Sequence, residues 1–213
     1  MLTEIPQIYP VTDSEISGLT HAEQVRRLAE GGARFIQFRD KHASGHDFYR
    51  SALGALEAAR ERGAKLIIND RVDIALTIGA DGVHLGQDDL SPLHAREILG
   101  DEAVIGYSTH NMEQAAAAAS LPVDYVAIGP IYRTTSKADP DEVVGVELLR
   151  AIREQLADKL VVAIGGINDT NISDIIAAGA DSAAVISYLL ADPALITNRF
   201  GKLSMTASVA KQS

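Results

Sequence analysis

Eight short apolar runs punctuate the chain: Ile8–Val11, Phe35–Phe38, Leu66–Ile68, Val83–Leu85, Val104–Tyr107, Tyr125–Ile128, Leu160–Ile164 and Ala183–Ile186. Most are continuous rather than alternating, as expected of parallel strands buried on both faces. Amphipathic stretches of helical period separate them, clearest at His21–Glu30, His46–Arg62, Asn111–Ala119, Val146–Leu156 and Asn171–Ala178. Gly32-Ala33, Gly63-Ala64, Gly79-Ala80 and Gly179-Ala180 each sit between a helix and the next strand, where glycine serves as a left-handed helix C-cap. "GADG" at 79–82 and "GADS" at 179–182 are nearly the same loop. Eight strand–helix units predict an α/β fold, a single-domain (β/α)8 TIM barrel over residues 1–200. An open doubly wound sheet is the alternative, but no GxGxxG follows the first strand. The tail 201–213, GKLSMTASVAKQS, is small, polar and weakly patterned, and is expected to be flexible.

In such a barrel the chemistry sits at the C-terminal ends of the strands. Those positions are polar all round: Thr12-Asp13, Gln37 with Arg39-Asp40-Lys41, Asn69-Asp70, Gly86-Gln87-Asp88-Asp89, Ser108-Thr109-His110, Gly129-Pro130, Gly165-Gly166 and Ser187. Turn chemistry explains any one of them. It does not easily explain all eight on one rim. Asp70 and Asp89 come from adjacent strands, and two carboxylates facing one cleft need a cation or a proton between them. Oxygen ligands without His or Cys point to Mg²⁺, which takes one or two carboxylates plus substrate phosphate. The plainer reading makes both residues helix N-caps. Arg39, Lys41 and Lys137 surround the same mouth and point to a polyanion such as a diphosphate. Gly165-Gly166 and Ile186-Ser187 form a second anion site, because loops after strands seven and eight often bind phosphate. The polar segment Tyr132–Glu142 reads as a lid. His110 is a candidate acid or base, with a structural role equally open.

Composition narrows the classes. The 213 residues are 46% hydrophobic and carry a net charge of −10. That balance argues against nucleic acid and against anionic membranes. No cysteine is present, which excludes disulfides, thiolate catalysis and Cys-ligated zinc. No apolar stretch approaches the about 18 residues that cross a bilayer, so a soluble cytoplasmic protein is expected. The sequence is compatible with a homo-oligomer and does not set the oligomeric state.

In order along the chain, "IQFRDK" (36–41), "IINDRVDIALTIGADGVHLGQDD" (67–89), "GYSTH" (106–110), "AIGPIYRTTSK" (127–137), "AIGGI" (163–167) and "GADSAAVIS" (179–187) resemble the thiamine-phosphate synthase (thiamine-phosphate pyrophosphorylase) family. Each segment is weakly specific, but the ordered set is strongly so. The resemblance implies condensation of a hydroxymethylpyrimidine diphosphate with a hydroxyethylthiazole phosphate by a dissociative, Mg²⁺-assisted route. By position it assigns the pyrimidine diphosphate to Gln37, Phe38, Arg39, Asp40, Lys41, Asn69, Ser108 and Lys137. It assigns Mg²⁺ to Asp70 and Asp89, and the thiazole phosphate to Thr134, Thr135, Ser136, Gly166, Ile186 and Ser187. Arg39, Lys41, Ser108 and Lys137 would carry the catalysis.

Two departures occur in the lid: Ser136 replaces a usual Thr, keeping the hydroxyl, and Arg133 stands where Pro is frequent. The rivals are the related thiazole tautomerase branch and a non-catalytic phosphate-ligand sensor. The tautomerase branch also uses a His resembling His110, but tends to lose the Asn-Asp pair and the later Gln-x-Asp. A sensor would not need the paired carboxylates.

Overall fold

The computed structural model describes residues 2–134 and 142–211. Its strands are β1 (Ile8–Pro10), β2 (Phe35–Phe38), β3 (Lys65–Asn69), β4 (Gly82–Leu85), β5 (Val104–Thr109), β6 (Tyr125–Ile128), β7 (Leu160–Ile164) and β8 (Ser182–Val185). The helices are α1 (Ser14–Ser17), α2 (His21–Glu30), α3 (Gly45–Arg60), α4 (Val72–Ile78), α5 (Pro92–Leu99), α6 (Met112–Ala119), α7 (Gly145–Gln155), α8 (Ile172–Ala177), α9 (Ser187–Leu190) and α10 (Ile196–Ala210). All eight apolar runs are strands. Each pairs in parallel with its sequence neighbour, and β1 pairs with β8. A bridge between Val11 and Gln37, with Thr12 N donating to Gln37 O at 2.8 Å, joins β1 to β2 and completes the (β/α)8 barrel.

Alternate strand residues face opposite sides. Those pointing inward include Tyr9, Phe35, Ile67, Val104, Tyr125, Ala127, Val162 and Ala184, which fill the lower barrel. Those pointing outward, such as Ile36, Phe38, Ile68, Val83, Ile105, Val126 and Val161, form the larger core beneath the helices. The continuous apolar runs thus serve two cores at once.

The four Gly-Ala returns have the left-handed backbone expected, with φ of 108° at Gly32, 64° at Gly63, 66° at Gly79 and 95° at Gly179. The aspartate that follows in "GADG" and "GADS" has its own task. Asp81 Oδ2 accepts from Leu66 N at 2.8 Å, and Asp181 Oδ2 accepts from Val161 N at 2.8 Å. Their own amides donate to the carbonyls of the same two residues. Asp124 repeats the device on Ile105, with Oδ2 2.9 Å from the amide. Each clasp locks the start of an even-numbered strand to its odd-numbered neighbour.

The tail departs from expectation. Residues 196–210 form α10, the outer helix of the eighth unit, packed against α8 and α2. Ile196, Phe200, Leu203 and Ala207 are buried at spacings of four, three and four residues, the stripe of a core-facing helix. A boundary drawn after Phe200 cuts that stripe in half, which is why the remainder looked unpatterned. Arg27 donates to Pro193 O at 2.7 Å and Thr197 Oγ1 to Arg27 O at 3.0 Å, fixing the approach to α10. Leu203→Ala should therefore destabilise the fold by about 2–5 kcal/mol, as a buried Leu→Ala does elsewhere, measured by urea unfolding. No change in midpoint would mean that α10 is dispensable.

Candidate active site

A cavity of about 470 Å³ opens at the C-terminal ends of the strands. Its walls draw on nearly every strand, with Gln37 from β2, Asn69 from β3, His84 from β4, Ser108 from β5 and Ile164 from β7 all pointing inward. The size suits small molecules. The Asn69 amide makes no hydrogen bond to another side chain among the described residues, so its polar atoms are left to the cavity.

The acidic side of the wall comes from the loops after β3 and β4. Asp70, which ends "LIIND", is the one non-glycine residue with positive φ (63°) among the described residues. Asp tolerates this left-handed backbone better than most residues. Neither carboxylate caps a helix. The N-cap position of α4 is Arg71, which makes no side-chain cap, and α5 is capped by Ser91. Asp89 instead folds back to accept from Gly86 N at 2.7 Å, so one of its oxygens does serve a turn. Burial, and then the neighbouring Asp70 carboxyl, push Asp89 above the usual carboxylate range. Lys41 Nζ stands 2.5 Å from Asp70 Oδ2 and offsets part of this repulsion.

That carboxyl pair fits a hard divalent cation, which would relieve the repulsion that raises Asp89. The described residues hold no group of three or more acidic, His or Cys ligands. Two carboxylates would have to be completed by water and by a ligand's own phosphate oxygens, the pattern Mg²⁺ prefers. Arg39 lines the wall beside Lys41 and is held by Asp13 at 2.8 Å. Asp13 Oδ1 at the same time caps α1 through Glu15 N, so the guanidinium is braced from the protein side.

The opposite rim carries Gly165, Gly166, Ile186, Ser187 and Thr134. A Cβ on Gly165 would lie 2.6 Å from Pro130 Cα, and one on Gly166 would lie 2.6 Å from Arg133 O. Both also have positive φ, 104° and 66°. The two glycines let the loops after β6 and β7 touch, a packing demand that accounts for them before any ligand is considered. Thr135, Ser136 and Lys137, with most of the expected lid, lie outside the described residues.

Two residues assigned from the sequence do not line the cavity. Phe38 follows inward-facing Gln37 and so points outward, where its ring packs 4.3 Å from His21 and 4.9 Å from Phe48. Asp40 turns to the loop, accepting from His42 N at 3.1 Å, Ala43 N at 3.0 Å and His21 Nε2 at 3.3 Å. Reading 37–41 as one continuous binding segment ignored strand alternation. The same oversight hid His84, which shares the inward parity of Gln37 and bonds Ser108 Oγ at 2.8 Å. His110 Nδ1 donates to Gly129 O at 2.7 Å and its amide to Gln114 Oε1 at 2.8 Å, so the loop holds it in a fixed pose on the wall.

Known proteins resemble this chain in sequence and in fold. Residues 8–189 match the model of a family described as thiamine monophosphate synthase. A thiamine-phosphate synthase of Koribacter versatilis is 45% identical over 197 residues, covering 89% of this chain and 92% of the relative. One from Chloroflexus aurantiacus is 42% identical, covering 87% and 85%. The structure of a thiamine phosphate pyrophosphorylase from Pyrococcus furiosus superposes with a TM-score of 0.86 at 33% identity, covering 96% of each chain. With the family match running from β1 past β8, the chain belongs to the thiamine monophosphate synthase family.

Proposed function

We propose that this chain condenses 4-amino-2-methyl-5-(diphosphooxymethyl)pyrimidine with 4-methyl-5-(2-phosphooxyethyl)thiazole. The products are thiamine phosphate and pyrophosphate, and the setting is cytoplasmic thiamine biosynthesis. The observation that carries the reading is the Asp70–Asp89 pair, with Lys41 and Arg39 beside it, on one wall of a cavity whose other wall is the glycine rim. A diphosphate and a monophosphate need two such sites.

In this reading Gln37, Asn69 and Ser108 hold the pyrimidine ring. Lys41 and Arg39 take the diphosphate, joined by Lys137 by sequence position. The rim of Gly166, Ile186 and Ser187, with Thr134, Thr135 and Ser136, takes the thiazole phosphate. The bond from the pyrimidine methylene carbon to the diphosphate oxygen breaks first. Its electron pair leaves with pyrophosphate, and the electron-rich aminopyrimidine stabilises the methylene cation. The thiazole nitrogen then supplies the pair for the new C–N bond. The protein needs neither nucleophile nor strong base for this. It places cations where charge grows on the leaving group and keeps water from the methylene carbon. Mg²⁺ held by Asp70 and Asp89 would add its charge against the same leaving group.

The intact carboxylate pair favours this reaction over the thiazole tautomerase or sensor readings, which have no use for it. Expression in a bacterium that lacks its own enzyme for this step should restore growth without added thiamine. Failure of a soluble, folded protein to do so would count against the proposal.

A further inference from the structure

Between the aromatic floor of the barrel and the cavity runs a single file of hydrogen bonds that the proposed reaction does not require. Gln37 Nε2 lies 3.1 Å from the Tyr9 hydroxyl, which is 3.0 Å from the Tyr125 hydroxyl. Tyr125 is 3.0 Å from His84 Nδ1, and His84 Nε2 is 2.8 Å from Ser108 Oγ. The chain crosses from β2 through β1, β6 and β4 to β5. Tyr9 and Tyr125 are almost wholly inaccessible, at 1% and 0% exposure. Gly106 makes the crossing possible, since a Cβ there would lie 2.0 Å from Tyr125 Cζ and 2.3 Å from its hydroxyl oxygen. The ends of the chain are Gln37 and Ser108, both on the cavity wall.

Such a chain has a direction. A hydroxyl has one proton to give, and a neutral imidazole donates from one nitrogen and accepts at the other. Among the described residues the Tyr9 hydroxyl meets only the Gln37 amide and Tyr125. Two arrangements therefore satisfy every link, each the reverse of the other. Any mixture leaves two protons facing each other or a buried hydroxyl without an acceptor, at about 1–3 kcal/mol. The structure holds the Gln37 Nε2 amide toward Tyr9, so Gln37 donates to Tyr9, Tyr9 to Tyr125, Tyr125 to His84 Nδ1, and His84 Nε2–H to Ser108. Gln37 is left with its carbonyl oxygen and its second amide proton, and Ser108 with its hydroxyl proton.

We infer that Tyr9, Tyr125 and His84 are positioning residues whose single-file chain fixes how the two ends face the cavity, holding the Gln37 amide turned so that its carbonyl is the acceptor and Ser108 so that its hydroxyl is the donor. The matching ligand is a heteroaromatic ring that carries both a donating amine and an accepting ring nitrogen. An aminopyrimidine does, and to that extent the inference rests on the proposed function. Tyr9 and Tyr125 do not line the cavity and act only through the groups of the chain that do, Gln37, His84 and Ser108. Their loss should then weaken the pyrimidine side and spare the thiazole side.

The test pairs nitrogen NMR of ¹⁵N-histidine-labelled protein with steady-state kinetics. In the unsubstituted protein at neutral pH, His84 should be one neutral tautomer, protonated at Nε2 and bare at Nδ1. Tyr125→Phe keeps the ring and removes the link. It should mix the two tautomers and raise KM for the pyrimidine diphosphate about tenfold, with KM for the thiazole phosphate within about twofold. Tyr9→Phe, which breaks the file one link further back, should shift both readouts the same way and decides the matter should Tyr125→Phe fail to fold. A His84 protonated at Nδ1, or already mixed, in the unsubstituted protein would overturn the inference. So would equal rises in both KM values, or no change in either readout. If the protein made no thiamine phosphate, the proposed function would fall, while the His84 spectrum would still decide the direction of the chain.

Discussion

Asp70→Asn should lower the turnover of thiamine phosphate formation by about 10²–10³-fold, the usual cost of losing one group that stabilises charge in a transition state. The fold should survive. Asp70 sits at a φ of 63°, which Asn tolerates as well as Asp, whereas Ala there would add backbone strain to the result. It caps no helix, and among the described residues its carboxylate meets Lys41 and the Asp89 carboxyl. Asn keeps the size but loses the charge that would hold a divalent cation. It also frees Lys41 from its ion pair, so pyrophosphate inhibition should change less than turnover. The check is product formation at saturating substrates beside a thermal melt. Full activity in a folded Asp70→Asn protein would remove Asp70 from the reaction.

The largest effect on stability is expected at the other end of the barrel. The Asp124 side chain is 1% exposed and serves three donors. Oδ1 accepts from Leu2 N at 2.7 Å, while Oδ2 accepts from Ile105 N at 2.9 Å and Arg96 NH2 at 2.9 Å. Asp124→Ala would strand the Ile105 amide at the start of β5 and leave a largely buried guanidinium without its counter-ion. Arg96 would keep its carbonyl partners, Ala103 and Pro122 among them, but carbonyls do not cancel its charge. Removing one partner of a buried ion pair costs about 3–5 kcal/mol. Against a total stability of about 5–15 kcal/mol this is a large share, and it corresponds to a fall in Tm of about 10 °C. A melt within about 2 °C of the parent would show that this clasp carries little of the load.

Much of the fold could be read from periodicity, because continuous apolar runs and Gly-Ala returns are local signals. The "GAD" repeat was legible as a loop, but not as a clasp, since its partner amide lies fifteen to twenty residues back in the chain. The eighth outer helix was lost where a buried stripe crossed an assumed boundary at Phe200. At the site, strand-end positions located Asp70 and Asp89, Arg39 and Lys41, and the glycine rim, while Lys137 lies outside the described residues. Parity within a strand did the rest of the sorting, and a rim-only reading overlooks it. Carrying 37–41 over from the family as one segment admitted Phe38, which faces the outer core, and the rim-only reading passed over His84, one residue inside a strand. Tyr9 and Tyr125 looked like ordinary core aromatics, because only the three-dimensional crossing over Gly106 brings their hydroxyls together.

The most direct test of the central claim is a matched pair of reactions. Purified protein is mixed with the pyrimidine diphosphate, the thiazole phosphate and Mg²⁺, with and without excess chelator, and thiamine phosphate is measured. Product with metal and none with chelator is the predicted result, tying the reaction to the Asp70–Asp89 pair. Absence of product in both tubes, from folded protein that still binds the thiazole phosphate, would contradict the proposed condensation. Equal product in both would contradict the metal assignment.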